Sequence, residues 1–180
     1  MMIEPVQAFR AAEYQVKFAT CSWERGQAHA LRQAVFCKEQ RIFRGSDRDA
    51  IDETAIPIVA LAMLGVVADA VAGTVRIHEE QPGVWWGSRL AVHPDYRKVG
   101  ALGASLIRLA VSSAHAMGAH TFLAHVQEQN GLLFRRMRWR VLEEVELHGK
   151  PHLRMQADLA HYPPCYTPQA GFTALPRKAA

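Results

Sequence analysis

Apolar positions along the chain recur with two different periods, and the switches between them mark out the elements. From Tyr14 to Cys21 the apolar residues Val16 and Phe18 fall two apart, which predicts a strand. Ser22 then offers an N-cap, with Glu24 in the first turn, to a helix over about Trp23 to Arg41 whose apolar stripe is Ala28, Leu31, Ala34, Val35 and Cys37. Arg44 to Asp49 is charged and turn-rich and reads as a mobile surface loop. Two apolar runs, Pro57 to Val67 and Val71 to Glu79, flank Ala68-Asp69-Ala70 and read as an antiparallel hairpin. Pro82-Gly83 turns the chain into a strand over Val84 to Val92, which Pro94 stops because proline has no N–H to continue a ladder.

Helical spacing returns at Leu102, Leu106, Leu109, Ala110 and Met117 and is closed by Gly118. Thr121 to Gln127 reads as a strand and Asn130 to Met137 as a short helix. Arg140 to His148 and His152 to Leu159 form a terminal hairpin around Gly149-Lys150-Pro151. The tail from Tyr162, with Pro163, Pro164, Pro168, Gly171 and Pro176, has no pattern that would bury it. The expected organisation is an N-terminal extension over residues 1–13, one domain over 14–160 and a proline-rich tail over 161–180.

Composition changes this picture little. The chain has 180 residues, 49% hydrophobic and 21% charged, which suits a single core and leaves no room for a second full domain. The net charge is +4, but basic and acidic residues are interleaved along most of the chain, with local excess at Arg97-Lys98 and from Arg135 to Arg140. That pattern is not a nucleic-acid footprint. Cys21, Cys37 and Cys165 are odd in number and contain no C-x-x-C, so they read as reduced thiols. The longest apolar run, Ile56 to Ala68, is broken by Pro57 and Gly65 and falls short of a membrane span. A soluble, cytoplasmic protein is expected, with no membrane or nucleic-acid partner.

The chemistry concentrates where the strand ending at Val92 feeds the helix beginning near Leu102. The connection Arg97-Lys98-Val99-Gly100-Ala101-Leu102-Gly103 is basic and carries two glycines at the start of the helix. First-turn amides have no intrahelical partner and lie at the positive end of the helix dipole, so a phosphate or pyrophosphate is the expected occupant. Neither G-x-x-x-x-G-K-[ST] nor a G-x-G-x-x-G following a strand is present.

The run from Val92 through Pro94, Tyr96, Arg97 and Gly100 resembles the acetyl-coenzyme A loop of the GNAT acyltransferase superfamily. Leu102 stands where that pattern has a small residue; either the last glycine has moved to Gly103 or the loop is tighter. The resemblance spans about residues 14 to 160. It implies an α/β (α+β) fold with a mixed, largely antiparallel sheet of about seven strands, helices on both faces, and a splay between the fourth and fifth strands. VFCKEQRIF resembles a segment of one subgroup in which the first helix and the following loop wall the acceptor site. GTVRI, WWGSRLAV and PHLRMQADL look more like the subgroup found in bacterial nitrogen-starvation or nitrilase gene clusters.

By that resemblance the donor is acetyl-CoA. It would be held by Leu90, Ala91, Val92, Arg97, Lys98, Val99, Gly100, Ala101, Leu102 and Gly103, with Asn130 and Phe134 along the pantetheine arm. The implied reaction is N-acetyl transfer to a small primary amine within a ternary complex. The Val92 N–H would serve the oxyanion, and Glu39, Arg76, Trp86 and Arg89 would contact the acceptor. Arg76 and Arg89 have a second reading as structural partners of Glu39, Asp49 or Asp52. Family members often carry a base on the strand before the loop, but Trp85, Trp86, Ser88 and Arg89 offer no carboxylate there. Glu128, His125 and His93 are the candidate bases. Phe134 stands where a tyrosine often donates the proton, so the thiolate leaves unassisted or Tyr162 reaches in.

No metal is expected. His115, His120 and His125 recur every five residues but divide between helix and strand, and His148 with His152 makes only two ligands. Two other readings stay open: a non-catalytic coenzyme A binding or regulatory module, and a nucleic-acid binder using the Arg135–Arg140 cluster. A homodimer is compatible with either enzymatic or regulatory function.

Overall fold

In the computed structural model, residues 11–98 and 101–176 are described. The first strand, β1 (Tyr14–Phe18), leads into α1 (Ser22–Arg32), which continues as a π-helical stretch over Gln33–Glu39. Cys21, not Ser22, holds the N-cap position. Glu24 reaches back to accept hydrogen bonds from the Thr20 and Cys21 amides at 2.6 and 3.4 Å, and its buried carboxylate pairs with Lys17 at 2.8 Å. The wider π turn shifts the phase of the apolar stripe, so Phe36 is buried and Ala34 is exposed, contrary to the 3.6-residue reading.

β2 (Ile56–Leu64) and β3 (Val67–Gln81) form a hairpin whose turn is Gly65-Val66. Gly65 takes φ +61°, as such a two-residue turn requires. Ala68-Asp69-Ala70, expected as the turn, lies instead within β3 beside a bulge. β4 (Val84–Val92) follows the Pro82-Gly83 turn, and after a 3-10 turn over Pro94–Tyr96 comes α2 (Leu102–Ala116). Met117 lies past the end of the helix and is 42% exposed. β5 (Thr121–Gln127) and α3 (Gly131–Arg136) fall close to their expected places. The terminal hairpin, β6 (Trp139–Leu147) and β7 (Lys150–Ala157), turns at His148-Gly149, both with positive φ, and not at Gly149-Lys150-Pro151.

The tail corrects its expectation. Tyr162 is 3% exposed, and Phe172–Ala174 form β8 against β1, so the described sheet has eight strands where about seven were expected. Their order is β6-β7-β5-β4-β3-β2-β1-β8, and every neighbouring pair is antiparallel except β4 with β5.

Both faces of the sheet are covered, which is why β2 reads as a continuous apolar run. Ile58, Ala60 and Ile77 pack with Leu106 and Leu109 of α2 on one face. Val59, Leu61 and Val71 pack with Leu31 and Phe36 of the first helix on the other. Among the described residues no helix is long and apolar enough to cross a membrane.

Candidate active site

The parallel pair is short. β4 and β5 align over Val84–Gly87 and Thr121–Ala124 and then part, so Ser88–Val92 and His125–Gln127 diverge without pairing to one another. One cause is visible in β4. Thr74 pairs with Ala91 and Arg76 with Ser88, so Val75 alone faces both Arg89 and Leu90. This bulge has Arg89 at φ +56° and bends β4 away from β5. His93 N–H is bonded to the Ala72 carbonyl at 2.8 Å, on the β3 side. Because backbone groups alternate along a strand, the N–H and C=O of Val92 and the C=O of Leu90 face the widening gap.

The gap opens into a cavity of about 450 Å³. Ile107, Phe134 and Asn130 line its inner part, and Trp86, Ser88 and His125 lie on the other face of the sheet. Phe43, from the segment after the π turn, roofs it and meets the His148 ring of the terminal hairpin at 4.7 Å. Gln40 is fixed to β5 by a 2.9 Å hydrogen bond from Gln127.

At the loop, Ser105 N–H donates to the Ala101 carbonyl at 2.8 Å, the first turn of α2. The earlier amides of Leu102, Gly103 and Ala104 therefore lack an intrahelical acceptor. The Leu102 side chain is core, 2% exposed, so only its backbone is available to a ligand. A Cβ at Gly103 would come no closer than 4.0 Å to Val92, leaving free space above that position. Lys98 and Arg97 are exposed; Arg97 is held by Glu39 and by the Val92 carbonyl, to which its Nε donates at 3.0 Å. Val99 and Gly100, both expected to contact the cofactor, lie outside the described residues.

Arg76 and Arg89 line the cavity but are engaged by carboxylates. Arg76, 2% exposed, bonds Asp49 at 2.6 and 2.8 Å and lies 2.8 Å from Asp52. Arg89 donates to the Asp47 carbonyl at 2.9 Å, pairs with Asp47 and Asp49 at 3.1 Å, and stacks 4.4 Å over Phe43. Arg32 closes the network on Asp47 and Asp52 at 2.7 and 2.6 Å. Asp47 is 2% exposed, so the segment expected to be a mobile surface loop is anchored in the interior. Burial pushes the Asp52 carboxyl up, but the hydrogen bonds from Arg32 and Arg76 outweigh it and hold the group well below the usual carboxylate range.

The candidate bases separate. His125 lines the cavity with its ring 4.9 Å from Trp86, and burial, then the nearby Arg154 and His152, hold it below its ordinary value. Glu128 lines a separate depression with Glu144 and Glu146. The His93 Nδ1 accepts from the Asp95 amide at 3.2 Å. Tyr162, considered as a proton donor, is committed elsewhere: its hydroxyl donates to the Met137 carbonyl at 2.6 Å and accepts from Trp139 Nε1 at 3.0 Å. No His, Cys, Asp and Glu group of three among the described residues is placed to hold a metal ion.

Several cavity residues escaped the sequence reading, His78 and Glu80 among the polar ones. His78, directly opposite Trp86, and Glu80, which accepts from Trp86 Nε1 at 2.9 Å, both come from β3. The alternation Arg76, His78 was a usable signal. Glu80 was not so readable, because it is the extra residue of a bulge between the Glu79–Trp85 and Gln81–Val84 pairs.

Residues 20–132 match the acetyltransferase (GNAT) family. A Lactobacillus plantarum protein named provisionally as an N-acetyltransferase superposes with a TM-score of 0.70 at 22% identity, over 80% of this chain and 97% of that one. Escherichia coli ElaA does so with a TM-score of 0.66 at 19% identity, over 81% and 98%. BjaI, a CoA-dependent acyl-homoserine lactone synthase solved with SAM and isopentyl-CoA, gives 0.66 at 16% identity, over 81% and 83%. No curated protein matches the chain in sequence.

Proposed function

Because the chain belongs to the acetyltransferase (GNAT) family, we propose that it is an acyl-CoA dependent N-acyltransferase moving an acetyl group to a small primary amine by direct transfer. The observation that carries this reading is the parting of β4 from β5 after four aligned positions, with the Leu90 and Val92 backbone facing the gap. An amide-bearing chain such as pantetheine can pair with the Val92 N–H and the Leu90 carbonyl as an added strand would, the Val92 carbonyl being held by Arg97.

In this reading the amides of Leu102 and Gly103, with Arg97 and Lys98, hold the pyrophosphate, while Asn130 and Phe134 border the arm. Val92 N–H lies where the thioester oxygen gains charge, and a preorganised donor there stabilises the developing oxyanion. His125, kept neutral by its surroundings, takes the proton that the amine nitrogen sheds as the N–C bond forms and the C–S bond breaks. The thiolate leaves without an acid, which its pKa near about 8.5 permits. Arg76 and Arg89 act through the loop they anchor, and Trp86 faces the acceptor. Glu39 acts on the acceptor wall through Arg97. Unpaired Cys21, Cys37 and Cys165 favour a cytoplasmic setting, and the short segments GTVRI and WWGSRLAV keep a nitrogen-metabolism role in view.

A second reading, a non-catalytic CoA-binding module, is favoured by Phe134 and by the committed hydroxyl of Tyr162. Thiol release from acetyl-CoA in the presence of a panel of primary amines separates the two. Turnover supports the enzyme; calorimetric CoA binding with no thiol released by any amine supports the module.

A further inference from the structure

The charges that line the cavity are compensated within the protein, with one exception. Arg32, Arg76 and Arg89 face Asp47, Asp49 and Asp52 in a closed set of ion pairs. Glu80, exposed at the cavity, stands outside that set: its carboxylate accepts from the Trp86 indole N–H at 2.9 Å and its charge acts on the His78 and His125 rings, but among the described residues no arginine or lysine is paired with it. The bulge that carries Glu80 turns it toward the indole. The Trp86 ring in turn lies 4.9 Å from His125, the residue nearest the proton transfer. An indole whose N–H is given to a carboxylate presents a more negative face, and a tryptophan face is the best aromatic partner for an ammonium.

We propose that Glu80 and Trp86 form a cation subsite, and that the acceptor is an aliphatic diamine: one amine is acylated beside His125 while a second ammonium rests on Glu80 and the Trp86 ring. The identity of the first amine rests on the acyl-transfer reading; the subsite does not. The same charge pattern excludes an acceptor carboxylate. Both guanidiniums that line the cavity are engaged by aspartates, so a carboxylate would find no open cation and would meet Glu80 instead. The cavity volume of about 450 Å³ has room for such a short chain.

Three probes isolate these features. Lysine is cadaverine with a carboxylate added, and pentylamine is cadaverine with the second ammonium removed. Calorimetric titration of CoA-saturated protein is expected to show cadaverine binding about tenfold or more tighter than either. In Glu80→Gln, which keeps an oxygen for the indole N–H, the ratio of cadaverine to pentylamine affinity is expected to fall toward one. Undetectable cadaverine binding, equal affinities, lysine binding as tightly as cadaverine, or a preference that survives Glu80→Gln each overturns the subsite. Thiol release read in parallel keeps the two claims apart. Glu80-dependent cadaverine binding with no thiol released by cadaverine or any amine of the panel sinks the acyl-transfer reading and leaves the subsite standing; turnover of pentylamine as efficient as that of cadaverine does the reverse.

Discussion

The Glu39 carboxylate grips Arg97 through both terminal nitrogens, which donate to Oε1 and Oε2 at 2.7 and 2.9 Å, and so ties the end of the π turn to the loop that precedes α2. The hydrogen bonds from Arg97 hold the Glu39 carboxyl below the usual carboxylate range. On the proposed reading a coenzyme phosphate would compete with that carboxylate for the guanidinium. Glu39→Gln is therefore expected to tighten CoA binding about threefold, since an exposed pair contributes at most about 1 kcal/mol. Arg97→Gln is expected to weaken it about tenfold or more, as charged hydrogen bonds contribute about 1.5–3 kcal/mol. Calorimetry with CoA checks both, and weaker binding in Glu39→Gln would show that the glutamate presents Arg97 to the ligand.

The buried ion-pair network makes stability acid-sensitive. Asp49, through its hydrogen bonds from Arg76, and Asp52, through Arg32 and Arg76 despite burial, have folded values below the unfolded value near about 3.9. Groups lowered in this way contribute stability that is fully present above the unfolded value and is lost as pH falls through the folded one. Thermal melts should begin to decline as pH falls through about 6.5, where the lowered imidazoles of His29, His78 and His125 favour the unfolded chain, and fall more steeply below about pH 4. Asp47→Asn, which removes one charge facing both Arg32 and Arg89, should cost about 3–5 kcal/mol in urea melts at neutral pH.

Gly171 and Gly45 share a left-handed backbone, at φ +62° and +76°, but not their surroundings. A Cβ at Gly45 meets nothing within 4 Å, so Gly45→Ala should cost only the backbone penalty of about 1–2 kcal/mol. A Cβ at Gly171 would overlap the Val16 carbonyl, just where β8 joins β1. Gly171→Ala should cost more than Gly45→Ala and open the tail to limited proteolysis; equal melting temperatures for the two variants would contradict it.

If His125 is the base, kcat/KM should hold level as pH falls to about 6.5 and decline only below it, because protonation of a lowered imidazole removes the acceptor for the amine proton. His125→Gln should erase that limb and lower kcat about a hundredfold. A limb that survives in His125→Gln and disappears in Glu128→Gln assigns the base to Glu128.

The elements that periodicity located best are those whose two faces meet different surroundings or whose ends carry proline or glycine. β4 and β5 run over Val84–Val92 and Thr121–Gln127 as read, and α2 stops at Ala116, two residues before the expected Gly118. The hairpin turns were missed because two residues suffice for each. Gly65-Val66 looked like strand, since the 95% exposed Val66 carries a strand-forming side chain. β8 was hidden because three residues are too few to show a period, and its docking depends on the Gly171 backbone. The start of α2 with its unpartnered first amides was legible, being local in sequence. The pairing of Arg76 and Arg89 with Asp49 and Asp52 was among the readings, but Asp47 meets Arg89 across 42 residues and Glu39 meets Arg97 across 58, and no spacing rule joins such partners.

The four-rung parallel pair has a mechanical consequence. It divides the backbone ladders into two antiparallel plates, one from β8 to β4 and one from β5 to β6, stitched by a single short seam. Parallel pairing is slightly the weaker kind per residue, and this seam has only four aligned positions to hold the two plates together. On the proposed reading a thioester arm lying in the rift would lengthen the seam, so the donor would act as a splint between the plates.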